Sequence, residues 1–181
     1  MMKFLEPLKR RVHLMISRAV LSALVDTSGR QFVQISALKG ETKDNVERIQ
    51  QYGMTSHPHA GAQAILLCVG GNRAHPVVIA VDDPRYRHKS LESGEVCLYT
   101  DEGDTIILKR NRTIEINTQN LVVKASSKAR FETPLLEVTG EIKDRSDNGG
   151  KSMHEMRAAY VSHTHHENGS NTNPPTQTMG G

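Results

Sequence analysis

Beyond Asp104 the chain sets an apolar pair, two residues apart, at near-constant intervals: Ile106/Leu108, Ile114/Ile116, Leu121/Val123, Ala129/Phe131 and Leu136/Val138. The first members lie 8, 7, 8 and 7 residues apart. Residues two apart share one face of an extended segment. Each unit therefore reads as a strand of about four or five residues with an inward apolar pair, followed by a polar corner. Repeats this short belong to β-helices and related solenoids. One such ribbon buries too little to fold alone. At roughly 25 cal/mol per Å² of apolar area, two modest side chains per unit barely offset an ordering cost of about 1–2 kcal/mol per residue. Three copies wound about one axis would bury every pair centrally and leave no open sheet edge. Strands of a sandwich, or of a continued barrel, are the alternative. The thin spacing of large apolar residues and an aromatic content of 4% count against it.

Composition points the same way. The chain has 181 residues, enough for one ordinary domain or two small ones, yet only 36% are hydrophobic and none is Trp. A compact monomer of this length normally has a richer core. Either part of the chain is not globular, or apolar surface is buried against other chains. A net charge of +3 does not suggest a dedicated nucleic-acid binder. Cys68 and Cys97 lack CxxC spacing and read as reduced, buried thiols. The opening Met1-Met2-Lys3-Phe4-Leu5-Glu6-Pro7 lacks the features of a signal peptide. No run reaches the roughly 18 apolar residues of a membrane span, so a soluble product made in the cytosol is expected.

The remaining chain divides into recognisable segments. Phe4, Leu5, Leu8, Val12, Met15, Ile16 and Ala19 recur at spacings of three and four, predicting an amphipathic helix to about Ser17. Its apolar face packs on its own domain or docks on a neighbouring protein. Strands follow at 19–25 and 31–38, a hairpin around Asp26-Thr27-Ser28-Gly29. The charged stretch 41–50 reads as a loop or short helix over the sheet. Further strands are expected at 62–69, 77–81 and 96–99. Five short strands joined by Gly, Pro and Asp turns suggest a small barrel of the OB type. His57-Pro58-His59 reads as a surface or packing element, with metal binding the lesser alternative. The basic run Arg85-Tyr86-Arg87-His88-Lys89 reads as a solvated face or subunit contact rather than a single-strand binder.

Near the end, Ser152 with Glu155 three residues on forms a capping-box pattern, predicting a short helix. It leads into His163-Thr164-His165-His166. A metallo-hydrolase site of the HxHxDH kind would need Asp and His at positions 167 and 168, where Glu167 and Asn168 stand instead. Zinc-finger spacing is absent, and no Gly-x-Ser-x-Gly elbow exists. On an extended segment His163 and His165 point the same way, giving too few ligands for a transition metal held by one chain. If the repeat trimerises, three such pairs give six imidazoles on one axis. Six-coordinate nitrogen ligation is unusual for zinc, suits iron, and suits nickel less well. With no open position, such a site is structural.

Three stretches are more specific: Val81-Asp82-Asp83-Pro84-Arg85-Tyr86-Arg87, then Gly94-Glu95-Val96 with Tyr99-Thr100-Asp101-Glu102-Gly103-Asp104, and the ending from Gly149-Gly150-Lys151-Ser152-Met153 through His163-Thr164-His165 to Asn173-Pro174-Pro175. In this order they resemble the Mu-type phage baseplate assembly protein V family, the central spikes of contractile tails. The resemblance covers nearly the whole chain. It implies a mainly β fold: a short N-terminal helix at 1–17, an OB-fold domain at 18–103, an intertwined trimeric triple-stranded β-helix at 104–143 and a metal-stapled apex at 144–181. It implies a homotrimer with one iron ion on the three-fold axis, held by His163 and His165. Family members can also hold calcium and chloride, whose ligands this sequence does not assign. The implied role is mechanical and non-enzymatic: a virion component of the tail baseplate, assembled in the host cytoplasm. There it meets a hub protein, takes part in baseplate assembly and pierces the host outer membrane on sheath contraction. No nucleic acid or small-molecule substrate is expected. The tip of a bacteriocin or secretion system would share this architecture. An OB-fold nucleic-acid binder with a repetitive tail would instead be a monomer or dimer.

Overall fold

The computed structural model describes residue 12 and residues 15–27, 29–37 and 40–179. The chain forms two compact units, Met1–Val122 and Val123–Gly181. Most of the expected N-terminal helix lies outside the described residues. Its expected end does not: Ile16 and Ser17 already belong to the first strand, because they pair with Leu67 and Leu66. None of the described helices is long and apolar enough to cross a membrane.

The first unit opens with β1 (Ile16–Val25), β2 (Gln31–Ser36), β3 (Thr42–Arg48), β4 (Gln63–Cys68) and β5 (Pro76–Asp82). They close into a barrel of order β1-β2-β3-β5-β4. The length of β1 makes closure possible. Its first half pairs with β4 (Ile16↔Leu67 to Val20↔Gln63), and its second half with β2 (Val20↔Ser36 to Val25↔Phe32). Parallel pairing of β3 with β5 completes the circuit through Glu47↔Val77 and Arg48↔Val78.

Alternation selects the core, since every second residue of a strand points inward. Val33 and Ile35 of β2, and Ala64 and Leu66 of β4, are buried with Ala19, Leu21, Val46, Ala62 and Val78. On β1 the alternation slips at a bulge between Leu21 and Ala23. Leu24, not Ala23, then packs against the core, as the extra residue of a bulge requires. Gln31 is buried yet satisfied. Its amide donates to Asp26 Oδ2 (2.9 Å) and to the Ser56 carbonyl (3.0 Å). Its Oε1 accepts from Arg48, which also donates to the Ser56 carbonyl at 2.7 Å. Burial lowers the Arg48 pKa from its ordinary value.

Two expectations change here. The stretch 41–50 is a barrel strand, β3, although its residues Thr42-Lys43-Asp44-Asn45-Val46-Glu47-Arg48 are mostly polar. One inward residue, Val46, suffices for a strand that pairs with β2 on one side and β5 on the other. The stretch 96–99 is a strand but lies outside the barrel. As β6 (Val96–Tyr99) it joins β7 (Thr105–Lys109) and β8 (Thr113–Asn117) in an antiparallel sheet of order β6-β7-β8. The pairs Leu121/Val123, Ala129/Phe131 and Leu136/Val138 lie where the described chain forms no strand. A strand exists only through a ladder, and these segments have no ladder partner within one copy.

The second unit holds α1 (Met153–Ser162) and a short hairpin of β9 (His166–Glu167) and β10 (Ser170–Asn171). Leu66 is fully buried in the barrel. Its replacement by Ala is expected to cost about 2–5 kcal/mol, read as a lower denaturation midpoint by circular dichroism.

Candidate functional site

The capping box expected at Ser152 is formed on both arms. Ser152 Oγ accepts from the Glu155 amide (3.2 Å), and the Glu155 carboxylate accepts from the Ser152 amide (2.6 Å). Two otherwise unpaired donors at the start of α1 are thus satisfied. That amide contact is the leading reason the Glu155 carboxyl lies below its ordinary range; the nearby Lys143 and Lys151 charges lower it further. The helix stops where His163 turns extended, at φ −71° and ψ 147°.

The histidine pair starts there. The rings of His163 and His165 lie edge to face, with centroids 5.1 Å apart, so the structure brings the two predicted ligands together. Nδ1 of His163 contacts the Tyr160 carbonyl, and the two rings are 5.3 Å apart. A carbonyl only accepts, so Nδ1 is the donor in this contact, and in the neutral ring that leaves Nε2 as the acceptor. That is the usual state of a histidine ready to bind a metal through Nε2. Among the described residues no group of three or more His, Cys, Asp or Glu side chains gathers as one chain's metal site.

His166 is placed differently. Its Nδ1 lies 3.0 Å from Asn171 Oδ1, across the hairpin in which His166 pairs with Asn171. Gly169, at φ +85°, makes the hairpin turn, a conformation that side-chain-bearing residues rarely adopt.

The other His-x-His motif serves packing. His59 Nε2 lies 2.8 Å from Asp101 Oδ2, and its ring sits 5.0 Å from that of Tyr86. Arg85 stacks over Tyr86 at 5.3 Å, forms a two-point pair with Asp83 (2.8 and 2.7 Å) and donates to the Ala60 carbonyl (2.9 Å). Gly61, at φ +92°, leaves room for that guanidinium: a Cβ would stand 3.0 Å from it. The Asp-Pro-Arg-Tyr motif thus joins the barrel's loops to the turn before β7, and Arg85 is committed within the chain.

Sequence reasoning found only part of one surface: it set out the pairs Ile106/Leu108 and Ile114/Ile116 but left out Val96 and Leu98. In the β6-β7-β8 sheet the register sets Val96 opposite Leu108 and Leu98 opposite Ile106. Ile106 in turn faces Ile116, and Leu108 faces Ile114. One sheet face therefore carries six apolar side chains, exposed by 39–66%. The alternation Val96-x-Leu98 was the available signal, hidden by assigning that strand to the barrel.

The profile of the family described as Bacteriophage Mu Gp45, N-terminal, matches residues 18–85, the span of the barrel and its Asp-Pro-Arg turn. The baseplate puncturing device gp45 of Escherichia phage Mu is 37% identical over 153 residues, covering 83% of this chain and 78% of that protein. The Mu-like prophage FluMu protein gp45 of Haemophilus influenzae is 36% identical over 149 residues, covering 77% of this chain and 80% of that protein. The chain belongs to the Mu gp45 family of phage baseplate proteins.

Replacing Ser152 by Ala is expected to destabilise α1 by about 1 kcal/mol, seen as lost helical ellipticity. Because the Glu155 pKa is lowered on folding, its contribution is complete above the ordinary glutamate value. It disappears as pH falls through the depressed native value, and Glu155→Gln should flatten that acid limb.

Proposed function

We propose that this chain is the central spike of a contractile phage tail baseplate, acting as a homotrimer that pierces the host outer membrane on sheath contraction. Its place is the tail baseplate of the virion. The closed barrel with β3 parallel to β5 supports an OB-fold collar, the part that would meet the baseplate hub. The work is mechanical rather than catalytic.

The observation that carries the assembly is the apolar face of β6-β7-β8. Its six side chains stand half-exposed in one copy, and covering them is worth on the order of 1 kcal/mol each. The pattern continues beyond that sheet. Leu121, Val123, Phe131, Leu136 and Val138 are exposed by 49–73%. A monomer would present these groups to water along most of the stretch from Val96 to Val138, far more than a soluble chain usually tolerates. Three copies wound as a triple-stranded β-helix supply both the missing ladders and the missing cover.

At the far end, His163 and His165 from three copies provide six imidazoles for one iron ion on the axis. The Nδ1 contact of His163, which directs Nε2 outward as the coordinating atom, and the closeness of the two rings support this ligand set. Such an ion would tie three chain ends into a tip whose helix α1 has no buried residue of its own. Calcium and chloride remain further candidates for the axis, without assigned ligands.

Two measurements test the reading. Ile106→Asp with Ile114→Asp should turn an elongated trimer into a monomer on sizing chromatography with light scattering, leaving barrel ellipticity in place. A wild-type chain that runs as a monomer would sink the trimer. His163→Ala with His165→Ala should remove bound iron and loosen the tip while the upper trimer persists. Elemental analysis finding no metal in the wild-type trimer overturns the metal assignment.

A further inference from the structure

The segment after the histidines, Asn171-Thr172-Asn173-Pro174-Pro175, has no part in the function described so far. We infer that Thr172 is a positioning residue for the metal pair: its hydroxyl holds the His165 backbone so that the His165 ring stays beside that of His163. This inference rests on the proposed metal site and extends it to a residue outside the ligand set.

The geometry is specific. The hairpin pairs Glu167 with Ser170 and His166 with Asn171, so His165 comes opposite Thr172. In a regular antiparallel pair two such residues exchange both amide–carbonyl bonds. Here the Thr172 amide donates to the His165 carbonyl at 2.9 Å, as expected. The return bond, from the His165 amide at 2.8 Å, goes to Thr172 Oγ1 instead of the backbone carbonyl. The next donor position on that strand, opposite His163 in this register, is Pro174, which has no N–H. The ladder therefore ends at Thr172, and a side chain completes its last pair. Threonine suits the task, because branching at Cβ restricts χ1 and limits where the hydroxyl can swing.

The consequence for His165 is mechanical. His163 is anchored from the helix side, through Nδ1 to the Tyr160 carbonyl. His165 stands two residues later, beyond the helix, and its ring packs against that of His163. Its position is set through its backbone, which Thr172 grips at both amide and carbonyl. Helix end and hairpin thus form two supports for one ligand pair. Groups that orient metal ligands typically change affinity by about 10–100-fold when removed.

The test uses the full-length chain loaded with iron(II) and challenged with EDTA, with retained metal measured by elemental analysis and trimer content by light scattering. Thr172→Val keeps the shape but lacks the hydroxyl; about 10-fold or faster iron loss is expected from an intact trimer. Thr172→Ser keeps the hydroxyl and should restore retention to within a few-fold of wild type. Asn171→Ala, which removes only the His166 contact, should leave retention unchanged. An intact Thr172→Val trimer that holds iron as wild type does overturns this inference alone. Equal losses in Thr172→Val and Asn171→Ala also overturn it, since they would mark general loosening. If wild type retains no iron, the underlying metal site fails and this inference with it. Should Thr172→Val not assemble, amide exchange in wild type decides: His165 N–H must be protected, and exchange at an open-loop rate refutes the bond.

Discussion

One shortage governs the molecule: apolar side chains from Val96 to Val138 outnumber the surfaces a single copy offers to cover them. The barrel is self-sufficient. Leu21, Val33, Ile35, Leu66 and Val78 are sealed inside, and even the buried Gln31 has its hydrogen-bonding capacity used. Past the barrel this balance ends. Ile107 is buried at 7%, while its neighbours Ile106 and Leu108 on the opposite face stay open. The chain thus runs from a segment with a sealed core to one whose apolar side chains a single copy leaves open.

The terminal unit answers the same shortage with different chemistry. Its helix and hairpin have too little apolar surface for a core, so polar contacts hold them: a two-armed capping box at Ser152 and Glu155, and the Thr172 grip on His165. These are local bonds, each modest in water. The first fixes the start of the helix, and the second fixes the backbone of His165 beyond its end. In the proposed trimer a shared ion would supply what the missing core cannot.

Much of this was legible in the residues. The apolar pairs, the capping box and the two histidines on one face are local patterns, and local patterns survive in a sequence. The Asp-Pro-Arg-Tyr motif was visible too, though its physical role was not. Arg85 looked like free positive charge until the fold set it against Asp83 and the Ala60 carbonyl. The stretch 41–50 misled because strand pairing on both edges outweighs a polar composition with one inward residue, Val46.

Residue order alone marked out a strand-rich part with turn signals, a periodic part with repeated apolar pairs, and a histidine pair too small for a metal on its own. Periodicity, turn residues and ligand count are properties of short stretches and need no knowledge of distant neighbours. Only the tertiary structure decided which strands close the barrel, since 96–99 and 42–48 are both short and β pairing is settled by distant partners. It also decided that Val96 and Leu98 extend the apolar face of Ile106, Leu108, Ile114 and Ile116, because a sheet face is created by register. Thr172 belongs with His165 for the same reason: seven residues apart along the chain, they meet only when the hairpin folds.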